Sequence, residues 1–189
     1  MYLKQIGTSM SFRFRKHVRL PGHDYLHGTY FVTTCTYWRK QILGRIVGIG
    51  TNARMELTDE GRIVDECWRA IPDHFPHVHL HEMQIMPDHL HAIIVLNGHA
   101  NGIRSCDPMG RSYYDTLGER GRSNGPERGS LGAIIGAFKS ETTRRVNRLN
   151  GTPGSSLWQP NYHERIIREH YGEMGRIAQY IAENPQNWR

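Results

Sequence analysis

The apolar positions fall into short runs of alternating period. From Thr29 to Trp38 the chain reads Thr-Tyr-Phe-Val-Thr-Thr-Cys-Thr-Tyr-Trp, almost wholly β-branched or aromatic, which predicts a strand. A helix is expected next. Thr58 supplies an N-cap, Asp59 and Glu60 suit the first turn, and Ile63, Val64, Cys67, Trp68 and Ile71 share one face until Pro72 stops it. Two extended stretches follow, His77–Ile85 and His89–Leu96, separated by Met86-Pro87-Asp88, whose turn chemistry predicts an antiparallel hairpin in the centre of a sheet. A second helix is predicted from Ser130 to Asn150, with Leu131, Ile134, Ile135, Phe138, Thr142, Val146 and Leu149 facing inward. After a turn over Gly151–Ser156, Trp158–Ile167 reads as a strand, and a last helix from about Glu169 to Glu183 ends ahead of Pro185. The order β-α-β-β-α-β-α predicts an α+β fold, a ferredoxin-like or RRM-like sandwich with a central, mostly antiparallel sheet and helices packed on it.

Composition narrows the class. With 189 residues the chain is long enough to bury a core without disulfide or metal staples. The longest apolar run, Ala92–Leu96, is too short to span a bilayer, and Met1–Arg19 lacks the apolar stretch of a signal peptide, so a cytoplasmic protein is expected. Cys35, Cys67 and Cys106 are odd in number and widely spaced, which argues against a disulfide framework or a thiolate zinc site and for small buried hydrophobes. The formal charge of +6 favours a polyanionic partner. Part of it sits in residues 1–24, a basic arm with Phe12 and Phe14 interleaved among Arg13, Arg15, Lys16 and Arg19, suited to stacking on bases and pairing with phosphates, or to simple solvation. Between Asn97 and Ser130, seven glycines and two prolines break the periodicity, which reads as a long loop or insert rather than a second domain.

Six of the twelve histidines lie between His74 and His91. In an extended strand, residues two apart share a face at roughly 6.5–7 Å, near enough for two imidazoles to meet one cation. His77, His79 and His81 read as a polar edge face, with a structural metal site as the alternative. His89-Leu90-His91 stands apart because it opens the most apolar strand, where two polar rings are costly to bury unless a metal, a phosphate or backbone carbonyls satisfy them. In the last helix Tyr180 and Asn184, four apart, project from one face beside Ile177 and Ile181. A core tyrosine with an Asn cap explains that pair. A tyrosine nucleophile with an oxygen ligand explains it too.

Met86-Pro87-Asp88-His89-Leu90-His91 resembles the histidine–hydrophobic–histidine (HUH) motif of single-tyrosine transposases, and Tyr180-Ile181-x-x-Asn184-Pro185 resembles their tyrosine segment. Together with Arg19-Leu20-Pro21-Gly22-His23-Asp24-Tyr25, Phe138-Lys139-Ser140 and Trp158-Gln159-Pro160-Asn161-Tyr162-His163-Glu164-Arg165-Ile166-Ile167-Arg168, the chain is most similar to the REP-associated tyrosine transposases, in motif order and over most of its length. It departs from them over Asn97–Ser130, which is longer and richer in glycine, and Asn184 stands where insertion-sequence members commonly carry glutamine. The resemblance implies one transposase domain over residues 1–189, with a C-terminal helix over 169–185 carrying the catalytic Tyr180.

The implied activity is cleavage and rejoining of single-stranded DNA near hairpins, through a 5′-phosphotyrosine intermediate. His89, His91 and Asn184 would hold a divalent cation, Mg or Mn, the imidazoles being more at ease with manganese. No general base for Tyr180 is evident. Arg13, Arg15, Lys16 and Arg19, with Lys139, Arg144, Arg145 and Arg148, would hold DNA, the last four being equally well explained as a solvated helix face. Tyr162 and His163 either line the site or pack. Localisation would be at the nucleoid, with the tyrosine donated within a monomer or across a homodimer. The alternatives are a histidine-dependent phosphoesterase with water as nucleophile and a non-catalytic hairpin-binding protein.

Overall fold

The computed structural model describes Leu20 and residues 22–98, 126–168 and 172–188. The candidate DNA-contacting residues of the arm, Arg13, Arg15, Lys16 and Arg19, lie outside these, as do Cys106 and most of the Gly-rich stretch.

The main sheet has four strands, β1 (His27–Cys35), β4 (Val78–Met86), β5 (His89–Asn97) and β6 (His163–Ile167), in the order β4-β5-β1-β6. All three pairings are antiparallel. The expected hairpin is therefore present, with only Pro87 and Asp88 between its paired ends Met86 and His89, but it is not wholly central. β5 is interior, and β4 is an edge strand with an irregular register between Leu80 and Met83. An edge placement lets polar rings face water, and His79 and His81 are exposed on it.

One face of the sheet carries the larger core. The helices α1 (Asp59–Arg69) and α3 (Leu131–Asn150) cover it, joining Trp68, Phe138 and Ile135 to Tyr30, Val32, Leu90, Ala92 and Ile94. Thr58 caps α1 as expected, accepting from the Gly61 N–H at 3.2 Å, and Ser130 caps α3. The opposite face has a smaller core in which Ile177 and Ile181 of α4 (Glu173–Ala182) meet Phe31, Ile93 and Ile167. Among the described residues no helix is long and apolar enough to cross a membrane.

Several expectations need correction. The first strand ends at Cys35, and Tyr37–Arg39 is a 3-10 turn in which Trp38 and Arg39 take positive φ, 57° and 54°. Pro72 ends α1 but opens a four-residue helix, α2 (Ile71–His74), because proline fits the first turn of a helix. A small hairpin, β2 (Gly44–Val47) with β3 (Arg54–Leu57), lies where no strand is expected. Trp158 forms only an isolated bridge to Thr36, and the last strand begins five residues later at His163. Leu149 is 49% exposed rather than facing inward, since α3 has by then run past the core. Cys35 and Cys67 are buried free thiols, as expected, both held above their usual pKa chiefly by burial.

Candidate metal and nucleophile site

The site forms at the start of β5. The segment after β1 grips the Pro87-Asp88 turn, since Thr36 N–H and Thr36 Oγ1 both donate to the Asp88 carbonyl (2.9 and 3.0 Å) and Leu43 N–H donates to that of Pro87 (3.1 Å). From this anchored turn β5 enters the sheet with His89 opposite Cys35 and His91 opposite Thr33. Both rings are buried, at 6% and 8% exposure.

Their nitrogens are sorted by neighbours. His89 Nδ1 lies 2.6 Å from Asp88 Oδ1 and His91 Nδ1 lies 2.7 Å from Thr33 Oγ1, which leaves the two Nε2 atoms facing each other at 3.1 Å. A carboxylate only accepts, so His89 Nδ1 is the donor in its pair and His89 Nε2 presents a lone pair. Burial, reinforced by the neighbouring His89 and Arg39, lowers the His91 pKa to about 3, so this ring is neutral at pH 7. Behind Asp88 stands Arg39, its Nε 3.3 Å from Asp88 Oδ2 and its other end 3.1 Å from Cys35 Sγ. The turn that places Arg39 is strained. Two successive non-glycine residues in the left-handed region cost roughly 1–3 kcal/mol each.

α4 brings the third component. Ile181 is fully buried, and its neighbour Tyr180, 51% exposed, lies with its ring 5.6 Å from that of His91 and 6.2 Å, edge to face, from Phe31. Tyr180 is thus not a core tyrosine. α4 stops at Ala182, so Asn184 belongs not to that helix but to the 3-10 turn Asn184–Asn187. Asn184 is buried at 9% exposure, and the chain just beyond it carries the Trp188 ring to 5.9 Å from His89.

The donor set suits a divalent cation. Two imidazole nitrogens at right angles about a common ion, each about 2.1 Å from it, lie about 3.0 Å apart, close to the 3.1 Å between the two Nε2 atoms. Each ring is also backed at Nδ1 in the manner of metal-binding histidines. Among the described residues no three His, Cys, Asp or Glu side chains gather as a metal site, so beyond this pair the ligands would be oxygens, from Asn184, water or substrate.

The remaining candidates are scattered. Lys139 donates to the carbonyls of Gln159, Pro160 and Asn161, and burial draws its pKa down to about 8. Arg144 pairs with Glu141, and Arg145 with Glu66 of α1, while Arg148 is exposed. His77 Nε2 lies 2.9 Å from the Gly129 carbonyl. Tyr162 packs against the main core and His163 is exposed at the start of β6. Sequence reasoning missed Thr33, Arg39 and Trp188. Asp88 was legible as a turn residue and as part of the stretch resembling the HUH motif, but not as the partner of His89 Nδ1.

No family model matches the chain. A Haemophilus influenzae protein described as uncharacterized is 33% identical over 175 residues, 92% of this chain and 89% of that one. Among solved structures, a REP-associated tyrosine transposase bound to a REP hairpin matches with a TM-score of 0.56 at 17% identity, over 91% of this chain and 73% of that chain. The chain therefore belongs to one family with the Haemophilus influenzae protein and is built on the fold of the REP-associated tyrosine transposase.

Proposed function

We propose that the chain is a cation-dependent tyrosine transposase that cuts and rejoins single-stranded DNA beside hairpins. The observation that carries this reading is the half-exposed Tyr180 ring lying 5.6 Å from His91, beside two imidazoles whose Nε2 atoms face each other at 3.1 Å. The fold shared with a transposase bound to a REP hairpin supports the substrate class.

In this reading Tyr180 Oη attacks a backbone phosphorus. A bond from Oη to phosphorus forms as the phenol gives up its proton, the bond from phosphorus to the 3′ oxygen breaks, and that oxygen takes up a proton and leaves as a 3′-OH, so that one proton is lost and one gained. One phosphodiester is exchanged for another, so the 3′-OH of a second strand can reverse the step without ATP. Phe31 and the buried Ile181 hold the helix that aims Tyr180. His89, His91 and Asn184 would hold Mg or Mn, which when bound supplies charge neutralisation at the phosphoryl oxygens. The His91 ring is uncharged, and in its Nδ1–H tautomer it offers the Nε2 lone pair. Tyr180 and both histidines meet within a single chain, so the reading needs no second subunit.

The test is incubation with labelled single-stranded DNA containing a hairpin, with manganese or magnesium. A covalent adduct is expected, and it should vanish in Tyr180→Phe and with EDTA. An adduct that persists in Tyr180→Phe overturns the nucleophile. Hydrolysis without an adduct points to a water-using phosphoesterase, and chelator-insensitive binding without an adduct to a hairpin-binding protein.

A further inference from the structure

All three oxygens of Asp88 are engaged. The carbonyl takes two bonds from Thr36, Oδ1 faces His89 Nδ1 at 2.6 Å, and Oδ2 faces Arg39 Nε at 3.3 Å. Asp88 is nearly buried while Arg39 is half exposed, so the guanidinium reaches inward from the surface. It gets there from a turn in which Trp38 and Arg39 both hold the left-handed conformation without being glycine. Strain of this kind survives only where the surroundings over-determine it, and such positions cluster at functional sites. Here the determinants are visible: the single Thr36 hydroxyl proton is shared between the Asp88 carbonyl and the Lys40 carbonyl, 2.8 Å away across the turn, and Arg39 is pinned to Cys35 Sγ as well as to Asp88.

We propose that Arg39 and Asp88 are positioning residues that fix His89 as the Nδ1–H tautomer, with its Nε2 lone pair turned toward His91 for a shared cation. This rests on the metal site proposed above. The two histidines are served differently. A carboxylate held by a guanidinium accepts and does nothing else, so His89 is locked in one tautomer. The Thr33 hydroxyl at His91 either donates or accepts, so His91 is free to carry its proton on Nε2, toward His89, or on Nδ1, with Nε2 open. The pair can then share one proton between the facing nitrogens and release that arrangement when a cation arrives, with only His91 changing tautomer. His89 needs no reorganisation.

The test uses the full chain. Nitrogen NMR of 15N-histidine-labelled, chelated protein at pH 7 reports the tautomer directly, and Mn2+ titration followed by electron paramagnetic resonance reports the site. In the unaltered protein His89 should be the Nδ1–H form. Asp88→Ala should shift it toward a mixture of tautomers and weaken Mn2+ binding 10–100-fold, in keeping with partners behind metal-bound histidines. Arg39→Met should give a smaller loss, several-fold, and Arg39→Lys should restore part of it. Backbone amide spectra establish that each variant is folded, and Asp88→Asn, which keeps an accepting oxygen, should retain the Nδ1–H tautomer. A His89 tautomer unchanged in folded Asp88→Ala, or, where Asp88→Ala does not fold, Mn2+ affinity unchanged in Arg39→Met, overturns the proposal. Failure of the transposase reading looks different: Mn2+ binds, the variants weaken it, and no DNA adduct forms.

Discussion

His91 is a titratable ring almost sealed from water, and its pKa near 3 against an ordinary value near 6.5 couples it to stability. The unfolded chain takes up this proton below pH 6.5, and the folded chain resists it until about pH 3. Stability from this group is therefore fully present above pH 7 and is lost progressively as pH falls through that window. Between pH 7 and pH 5 the loss should be about 2 kcal/mol, read as the urea unfolding free energy of chelated protein against His91→Gln. A variant that loses as much stability over the same interval refutes the assignment, since the carboxylates common to both cancel. The residues of the site divide by how far their partners lie along the chain. His89 and His91 were legible because two polar rings at the mouth of an apolar strand violate the local pattern. Thr33 was not, because its role exists only through a pairing 58 residues away. Arg39 was hidden in the same way, since nothing in Tyr37-Trp38-Arg39 signals a turn bent back on Asp88.

The elements were legible where periodicity runs long and obscure where a single tertiary bond decides. α1, α3 and the β4–β5 hairpin follow from caps and spacing. The strand expected over Trp158–Ile167 does not form at its start because the Trp158 indole turns to α3 and donates to Thr142 Oγ1 at 2.8 Å, while Pro160 has no N–H to give a ladder. β2 and β3, four residues each, are too short for alternation to register. The indole bond makes a prediction for the α3 junction. The Thr142 hydroxyl donates to the Phe138 carbonyl and accepts from Trp158 in the same buried place. Thr142→Val keeps the shape and orphans the indole N–H, so unfolding should be easier by roughly 1–3 kcal/mol, whereas Thr142→Ser should recover most of the loss. A chemical denaturation series of the three proteins decides it, and equal midpoints for Val and Thr would mean the bond contributes nothing.

At the scale of the whole molecule, the proposed DNA binding depends on where the positive charge remains uncommitted. The basic helix face legible in the sequence proves partly committed within the protein: Arg145 ties α3 to α1 through Glu66, Arg144 is matched by Glu141, and Lys139 holds the 159–161 carbonyls. These ion pairs are superficial and worth little in stability, but they lower the field that α3 offers to phosphates. More of the DNA affinity is then expected from Arg13, Arg15, Lys16 and Arg19, where residues 1–19 hold no acidic residue. Replacing these four by alanine lowers the formal net charge of +6 by four. Binding to single-stranded hairpin DNA should weaken, and the slope of log affinity against log salt should become shallower by about 0.7 for each phosphate no longer neutralised, up to about 3 in all. The same substitutions should leave Mn2+ affinity unchanged, since the histidine pair and its partners lie elsewhere in the chain. A salt slope that stays put in the fourfold variant would return the burden to the folded domain and make Arg148, exposed on α3, the next position to neutralise.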